Sequence, residues 1–268
     1  MPFTLSHPAA IIPLHQLLGR RVSVSAMAIG SMSPDFAYFL PGVHGLMTHS
    51  LAGIVSFCLP AGLLAYFIFH LLIKRPASLL LPVALSARLR ASVFAAPALP
   101  AISLWRVACS VMLGAATHIA WDALTHRNTI VVSHIEFFRS VLFSVDGYSL
   151  YLYKLLQHLS TAFGLLMLGW WIRRWIKQPD LAEAGEMLET GSEGGLALVP
   201  GVHTGIVAGL LAAALVCSGV AAFTYSAAPL ERWLFHVVVA SLSGFMLALL
   251  FYCLAWHSYA GSRRPHES

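Results

Sequence analysis

Formal charge is what this sequence has least of. Only 10% of its 268 residues are Asp, Glu, Lys or Arg, against about 25% in a soluble globular domain. A soluble monomer of this size could not cover its surface with so few. Apolar residues reach 58%, which also excludes intrinsic disorder, a state of low hydrophobicity and high net charge. Cysteine is scarce: Cys58, Cys109, Cys217 and Cys253 show no close pair and no metal-type spacing. They read as small apolar packing residues. No internal repeat is visible. A net charge of +5 is too modest to indicate a nucleic-acid partner, and in a membrane chain it bears on orientation. What remains is an integral membrane protein with the lipid bilayer as its surroundings. Histidine runs against the depletion: there are 13, more than the 11 Asp and Glu together.

A spanning helix needs about 20 mostly apolar residues. Five stretches qualify: 51–73, 104–125, 150–172, 202–225 and 233–256. The predicted fold is therefore all-α, a polytopic helical membrane protein of about five transmembrane helices behind an N-terminal helical segment. Trp and Tyr at several span ends (Trp105, Tyr148, Trp170, Trp233, Trp256) fit an interfacial belt. Residues 74–103, broken by Pro76, Pro82, Pro97 and Pro100, read as a loop or interfacial segment. The expected organisation is a membrane domain over 1–177, an acidic flexible linker over 178–201, and a two-helix hairpin with a basic tail over 202–268. Gly205 and Gly209 form a G-x-x-x-G spacing expected to serve packing within the chain.

The first residues lack the basic region, apolar core and small-residue site of a signal peptide, so they are expected to belong to the fold. Pro8 suits a helix start with Ser6 or His7 as cap, and that helix should stop near Gly19. A second short helix, over 22–31, should end before Pro34. The side richer in Lys and Arg, with Lys74, Arg75, Arg173, Arg174 and Lys177, should be cytoplasmic. The N-terminus and the loop over 125–148 would then face outward.

Ionisable residues within or beside spans are costly and mark function by default. His118, Asp122 and His126 recur at i, i+4 and i+8, a spacing that drifts only about 40° per step and keeps all three on one helix face. Imidazole and carboxylate together suit zinc and similar ions. Asp35 follows Pro34, and His49 stands at the entrance of the first span. An antiparallel pair of spans brings His49 to the membrane face where His118 to His126 end. His158 lies about two turns into the third span from that face, and His7 and Asp35 feed into it. His15, His44, His134 and Asp146 are left between ligand, supporting and loop roles. His70, His203, His236, His257 and His266 read as structural or solvated.

On these residues two resemblances rest. The opening Met1-Pro2-Phe3-Thr4-Leu5-Ser6-His7-Pro8-Ala9-Ala10 and the Gly30-Ser31-Met32-Ser33-Pro34-Asp35 turn resemble a bacterial family known as domain of unknown function 4184, over most of the chain. The order His7, Asp35, His44 to Thr48-His49-Ser50, then His118 and Asp122, is similar to the YdjM-like membrane-bound metal-dependent hydrolases. More distantly it is similar to zinc-dependent phospholipase C and its related single-strand nucleases. That resemblance implies a helical protein in which Asp35, His49, His118 and Asp122 surround one metal. It implies that Asp122 bridges to a second metal, held also by His7. A third would use His126 and His158, but Ala162 stands where a carboxylate is expected, so one or two ions are expected rather than three. The bacterial cytoplasmic membrane is the implied location, with the site near its outer face.

The leading expectation is a membrane-embedded, metal-dependent hydrolase, using a divalent metal such as zinc, with Asp35 and Asp122 as catalytic carboxylates. Its substrate would carry an ester or phosphodiester bond in a lipid or lipid-linked molecule. Two alternatives stay open: a metal- or proton-coupled transporter, and a non-enzymatic structural or assembly factor whose histidines fix helix packing.

Overall fold

The computed structural model describes residues 4–40, 42–43, 45–81, 93, 99–145, 148–177 and 200–262. His44, Asp146, His266, most of the proline-broken segment, nearly all of the acidic linker and the basic tail lie outside the described residues.

Five helices are long and apolar enough to cross a membrane: Leu51–Ser78, Leu104–His134, Leu152–Trp175, Gly201–Thr224 and Leu230–Tyr259. The fold is all-α and polytopic. Ahead of the first span, a 3-10 turn over Thr4–Ala10 runs into α1 (Ile11–Leu18), which ends at Gly19 with φ +51°. That left-handed value is open to glycine at little cost. Ser6 and His7 do not cap this helix. Both are buried, and His7 turns into the protein instead. The second short helix, α2 (Val24–Gly30), starts on the Ser23 hydroxyl, which accepts from the Ala26 amide. A further 3-10 turn, Ser33–Phe39, carries Pro34 and Asp35 in its first turn.

The first span, α3 (Leu51–Ser78), begins on the Ser50 side chain and passes through π-helical turns at Ile54–Cys58 and Phe69–Ile73. Pro60 and Pro76 each follow one of them. A proline removes one backbone donor and crowds the preceding turn, and a π-bulge relieves that conflict. The second span, α4 (Leu104–Thr125), is followed by the short helix Ile130–His134.

An antiparallel hairpin then intervenes, β1 (Val141–Val145) with β2 (Tyr148–Tyr151). The third span, α5 (Leu152–Ile176), therefore starts at Leu152 and not at Tyr148 or Leu150. The sequence signal for the hairpin is an Asp146-Gly147 pair between β-branched and aromatic residues. The apolar content of this stretch made it look like the start of a span.

Contacts divide the chain into two compact units, Met1–Tyr66 with Ala101–Trp175, and Phe67–Pro100 with Ile176–Ser268. In the first unit, α2 crosses α4 at very short range. A Cβ at Gly30 would collide with the Val111 carbonyl, and one at Gly114 with the Met27 carbonyl. Met27, Val111 and Ala115 are fully buried around this crossing. Gly164 of α5 lies against Ser6 in the same way.

In the second unit, α6 (Pro200–Thr224) pairs with α7 (Leu230–Ser262). Gly244 is the glycine at their contact, against Ala213 and Cys217. Gly205 and Gly209 have nothing within 4 Å of where a Cβ would stand, so the expectation that they serve packing within the chain is corrected. Small residues permit close approach without compelling it. Two histidines here serve backbone: the His257 Nε2–H donates to the Leu72 carbonyl at 3.1 Å, and that of His203 to the Leu80 carbonyl at 3.2 Å.

Candidate metal centre

Four segments of the first unit each deliver one part of a buried polar cluster. The Thr4–Ala10 turn brings His7, the Ser33–Phe39 turn brings Asp35, the residue after the Gly45–Thr48 turn is His49, and α4 brings His118 and Asp122. Their positions follow from local chemistry. The Ser33 hydroxyl donates to the Gly30 carbonyl, and the Thr48 hydroxyl donates to the Pro34 carbonyl at 2.9 Å. These two bonds tie the Asp35 turn to α2 on one side and to the entrance of α3 on the other. The glycine crossing of α2 and α4 then sets the Ser31 carbonyl 2.7 Å from His118 Nδ1.

That last contact fixes a tautomer. A carbonyl oxygen only accepts, so His118 Nδ1 carries the hydrogen and Nε2 presents a lone pair when the ring is neutral. His49 repeats the arrangement, with Nδ1 2.9 Å from the Gly45 carbonyl. Both Nε2 atoms are thereby aimed at carboxylates. His118 Nε2 stands 3.2 Å from Asp122 Oδ2 and 3.7 Å from Asp35 Oδ1. His49 Nε2 stands 3.2 Å from Asp35 Oδ1 and 3.7 Å from Asp122 Oδ2. The other oxygen, Asp122 Oδ1, faces His7 Nε2 at 3.6 Å and His126 Nδ1 at 3.4 Å. The His7 ring stacks on His118 with centroids 3.7 Å apart.

Burial makes this arrangement demanding. His7 and Asp35 are each 2% exposed, His118 0% and Asp122 6%. Acceptors facing acceptors in a dry site repel unless a proton or a cation lies between them. Both His7 nitrogens, His118 Nε2 and Asp122 Oδ1 have no hydrogen-bond partner. Among the described residues, the ion-pair partners of Asp35 and Asp122 are all histidines, so no Lys or Arg neutralises the two carboxylates.

A divalent cation fits these groups. It balances two carboxylates among neutral imidazoles. Ligand atoms about 2.0–2.1 Å from a tetrahedral zinc lie about 3.3 Å from each other, in the range of the separations above. Two triads, His7 with Asp35 and His118, and His49 with His118 and Asp122, each hold their ligand atoms within 4.8 Å of one another and could bind an ion. Metal-ligating histidines commonly donate their second N–H to a carbonyl, as His118 and His49 do here.

Two groups outside the spans report the same field. Burial, and next the neighbouring His118, pull the His7 imidazole down from 6.5 to about 4, so it is neutral at physiological pH. Burial by itself would raise the Asp35 carboxyl, but His49, His118 and the Thr4 hydroxyl hold it below its ordinary value.

Six of the seven residues expected as metal ligands are thus brought together: His7, Asp35, His49, His118, Asp122 and His126. His158 is not among them. It is exposed on α5 and belongs to neither ligand triad. His134 is also exposed, its Nδ1 bonded to the Ile130 carbonyl of its own turn. His236 stacks on Tyr225.

The supporting residues were not legible beforehand. Thr4 donates to Asp35 Oδ2 at 2.6 Å. The Ser31 and Gly45 carbonyls orient the imidazoles, and backbone atoms leave no trace in residue type. Tyr38, with its ring 6.3 Å from that of His49, completes the surround. Burial and the two carboxylates raise its phenol far above the ordinary range, so it stays protonated.

No curated protein and no solved structure matches the chain. Residues 1–254 match the family described as Domain of unknown function (DUF4184), a match that takes in every residue of the cluster. With nearly its whole length matched, the chain belongs to the DUF4184 family.

Proposed function

We propose that the protein is a membrane-embedded metal-dependent hydrolase acting on an ester or phosphodiester bond of a lipid or lipid-linked substrate. The observation that carries this reading is the pairing of lone-pair imidazole nitrogens with two buried carboxylates. The floor of the cluster is dry, with side chains of His7 and His118 at 1% and 0% exposure, while His49 and His126 at its rim reach 20% and 28%. A closed set of ligands suits a structural ion, and one with an accessible side suits catalysis.

Zinc is the ion best matched to this donor set, in one or two copies. Asp122 turns Oδ2 toward His49 and His118 and Oδ1 toward His7 and His126, so both of its oxygens would be available to hold metal. A bound divalent ion supplies Lewis acidity and lets water act as a nucleophile near neutral pH. Asp35 would be the carboxylate placed to orient that water and accept its proton. Its Oδ1 faces the cluster, and the Thr4 bond to Oδ2 fixes the carboxylate plane. His118 and His49 hold their Nε2 atoms toward the site because their N–H groups are committed to carbonyls. The excess of Lys and Arg on the opposite side supports a bacterial cytoplasmic membrane location with the site toward the outer face.

Metal analysis of protein purified without chelator tests the reading, paired with hydrolysis assays on ester and phosphodiester lipid analogues. Stoichiometric divalent metal and turnover lost on chelation are expected. Sub-stoichiometric metal, unchanged by alanine at His118 and Asp122, would overturn it. Metal-dependent flux of solute across proteoliposomes without hydrolysis would favour a transporter.

A further inference from the structure

Beside the centre lies a cavity of about 600 Å³ between α4 and α5. Thr117, Trp121 and Leu124 form one wall, and Leu156, Leu159 and Phe163 the other. We propose that this groove is an acyl-chain site: it holds one hydrocarbon chain of a membrane lipid and sets the headgroup end of that lipid against the centre. Only the second clause rests on the hydrolase reading.

The volume falls within the range of small-ligand pockets, about 300–1,000 Å³. Its chemistry favours an apolar occupant. The three hydroxyls in its lining are all committed to their own helices: Thr117 to the Gly114 carbonyl at 2.7 Å, Thr125 to Trp121 at 3.4 Å, and Ser160 to Gln157 at 3.0 Å. Apart from the Trp121 indole N–H and these three hydroxyls, the lining is apolar. Leu124, Leu159 and Phe163 remain 45%, 56% and 58% exposed, and both walls are helices apolar enough to span a bilayer. The medium that meets such a face is lipid hydrocarbon.

Length and direction agree. From Thr117 to Thr125 the helix rises about 12 Å, close to the hydrocarbon depth of one leaflet, about 15 Å. Thr117 and Phe163 mark the deep end, toward the middles of their spans. Thr125 and Phe138 mark the other. Thr125 is the shared wall: its hydroxyl lies 3.2 Å from His126 Nδ1. A chain seated in the groove therefore presents its head at the rim of the histidine and carboxylate cluster. The substrate class that follows is an acylated lipid whose scissile bond sits at the headgroup end.

Photolabelling tests this without turnover. The full-length protein in detergent is mixed with phosphatidylglycerol carrying a diazirine on one acyl chain, irradiated, digested and mapped. Label is expected to concentrate on residues 117–125 and 156–163. Ser160→Phe should fill the groove and lower that label about tenfold, equivalent to roughly 1.4 kcal/mol of binding. Label on the exposed α6 face around Leu215 and Phe223, 70% and 85% exposed, should not change. Thr117→Leu, at the deep end, is the second filling variant, and both are read only on protein that elutes as the wild type does. Equal labelling of groove and α6 face, or label unchanged by both variants, would overturn the proposal. So would irradiation linking two copies of the chain across the groove in place of lipid. Groove label without hydrolysis keeps the site and sinks the hydrolase. Hydrolysis of soluble short-chain substrates without groove label sinks the site alone.

Discussion

His118 and Asp122 stand one helical turn apart, and Nε2 of the first lies 3.2 Å from Oδ2 of the second while Nδ1 is spent on the Ser31 carbonyl. The neutral ring thus has only a lone pair to show the carboxylate. A cation between them would convert this repulsion into ligation.

Removing either partner should empty the centre. Asp122→Asn keeps the shape and loses the charge, and His118→Ala removes a nitrogen that both candidate triads use. Each is expected to reduce bound metal to a background level, measured by elemental analysis of protein purified in parallel. His158→Ala should leave metal content at the wild-type value, because His158 is exposed and belongs to neither triad. Equal loss in all three variants would contradict the assignment.

Acid should destabilise the chelator-treated protein. His7 sits at about 4 in the folded chain against 6.5 ordinarily. Above pH 6.5 it is neutral in both states. Between 6.5 and about 4 the unfolded chain takes the proton and the folded chain resists it, so stability falls as pH falls through that window. Asp35, held below its ordinary value of 3.8, continues the loss at lower pH. Thermal unfolding between pH 7.5 and 4.5 reads this as a falling Tm, with the slope reduced in His7→Gln. A Tm independent of pH in both proteins would refute it. Metal affinity should fall over the same interval, since protons and metal compete for the imidazoles.

The crossing of α2 and α4 tolerates no side chain. Gly114→Ala drives a methyl into the Met27 carbonyl. Overpacking of this kind costs about 1–3 kcal/mol, and here it also shifts the Ser31 carbonyl off His118. Lower thermal stability together with weaker metal retention is expected. Gly205→Ala, at a position with open space, should change neither.

In the second unit, Pro76 has no N–H to offer the Leu72 carbonyl four residues back, and the His257 Nε2–H donates there at 3.1 Å. His257→Ala should cost about 1–2 kcal/mol by leaving that carbonyl without its donor. Pro76→Ala restores a backbone N–H and should recover part of the loss. A double-mutant cycle in detergent checks the coupling, and strict additivity would count against it.

How far the sequence reached differs by level. Charge scarcity and apolar runs of about 20 residues were enough for an all-α, five-span membrane fold, because the bilayer forces backbone polar groups into helices. The i, i+4, i+8 spacing put His118, Asp122 and His126 on one stripe, because helix geometry is local and repeats. The hairpin over 141–151 was hidden, since its apolar alternation was absorbed into a longer hydrophobic run.

Distances between segments far apart in sequence were decided only by tertiary structure. His7, Asp35 and His49 reach α4 because glycines let α2 approach it and because Ser33 and Thr48 anchor the intervening turns. His158 carried the same residue type and a plausible depth, yet α5 leaves it exposed and outside both triads. Composition showed only that a chain poor in charge holds more histidines than carboxylates. Which nitrogen bears the hydrogen, and which oxygen it confronts, depended on two backbone carbonyls that residue identity does not encode.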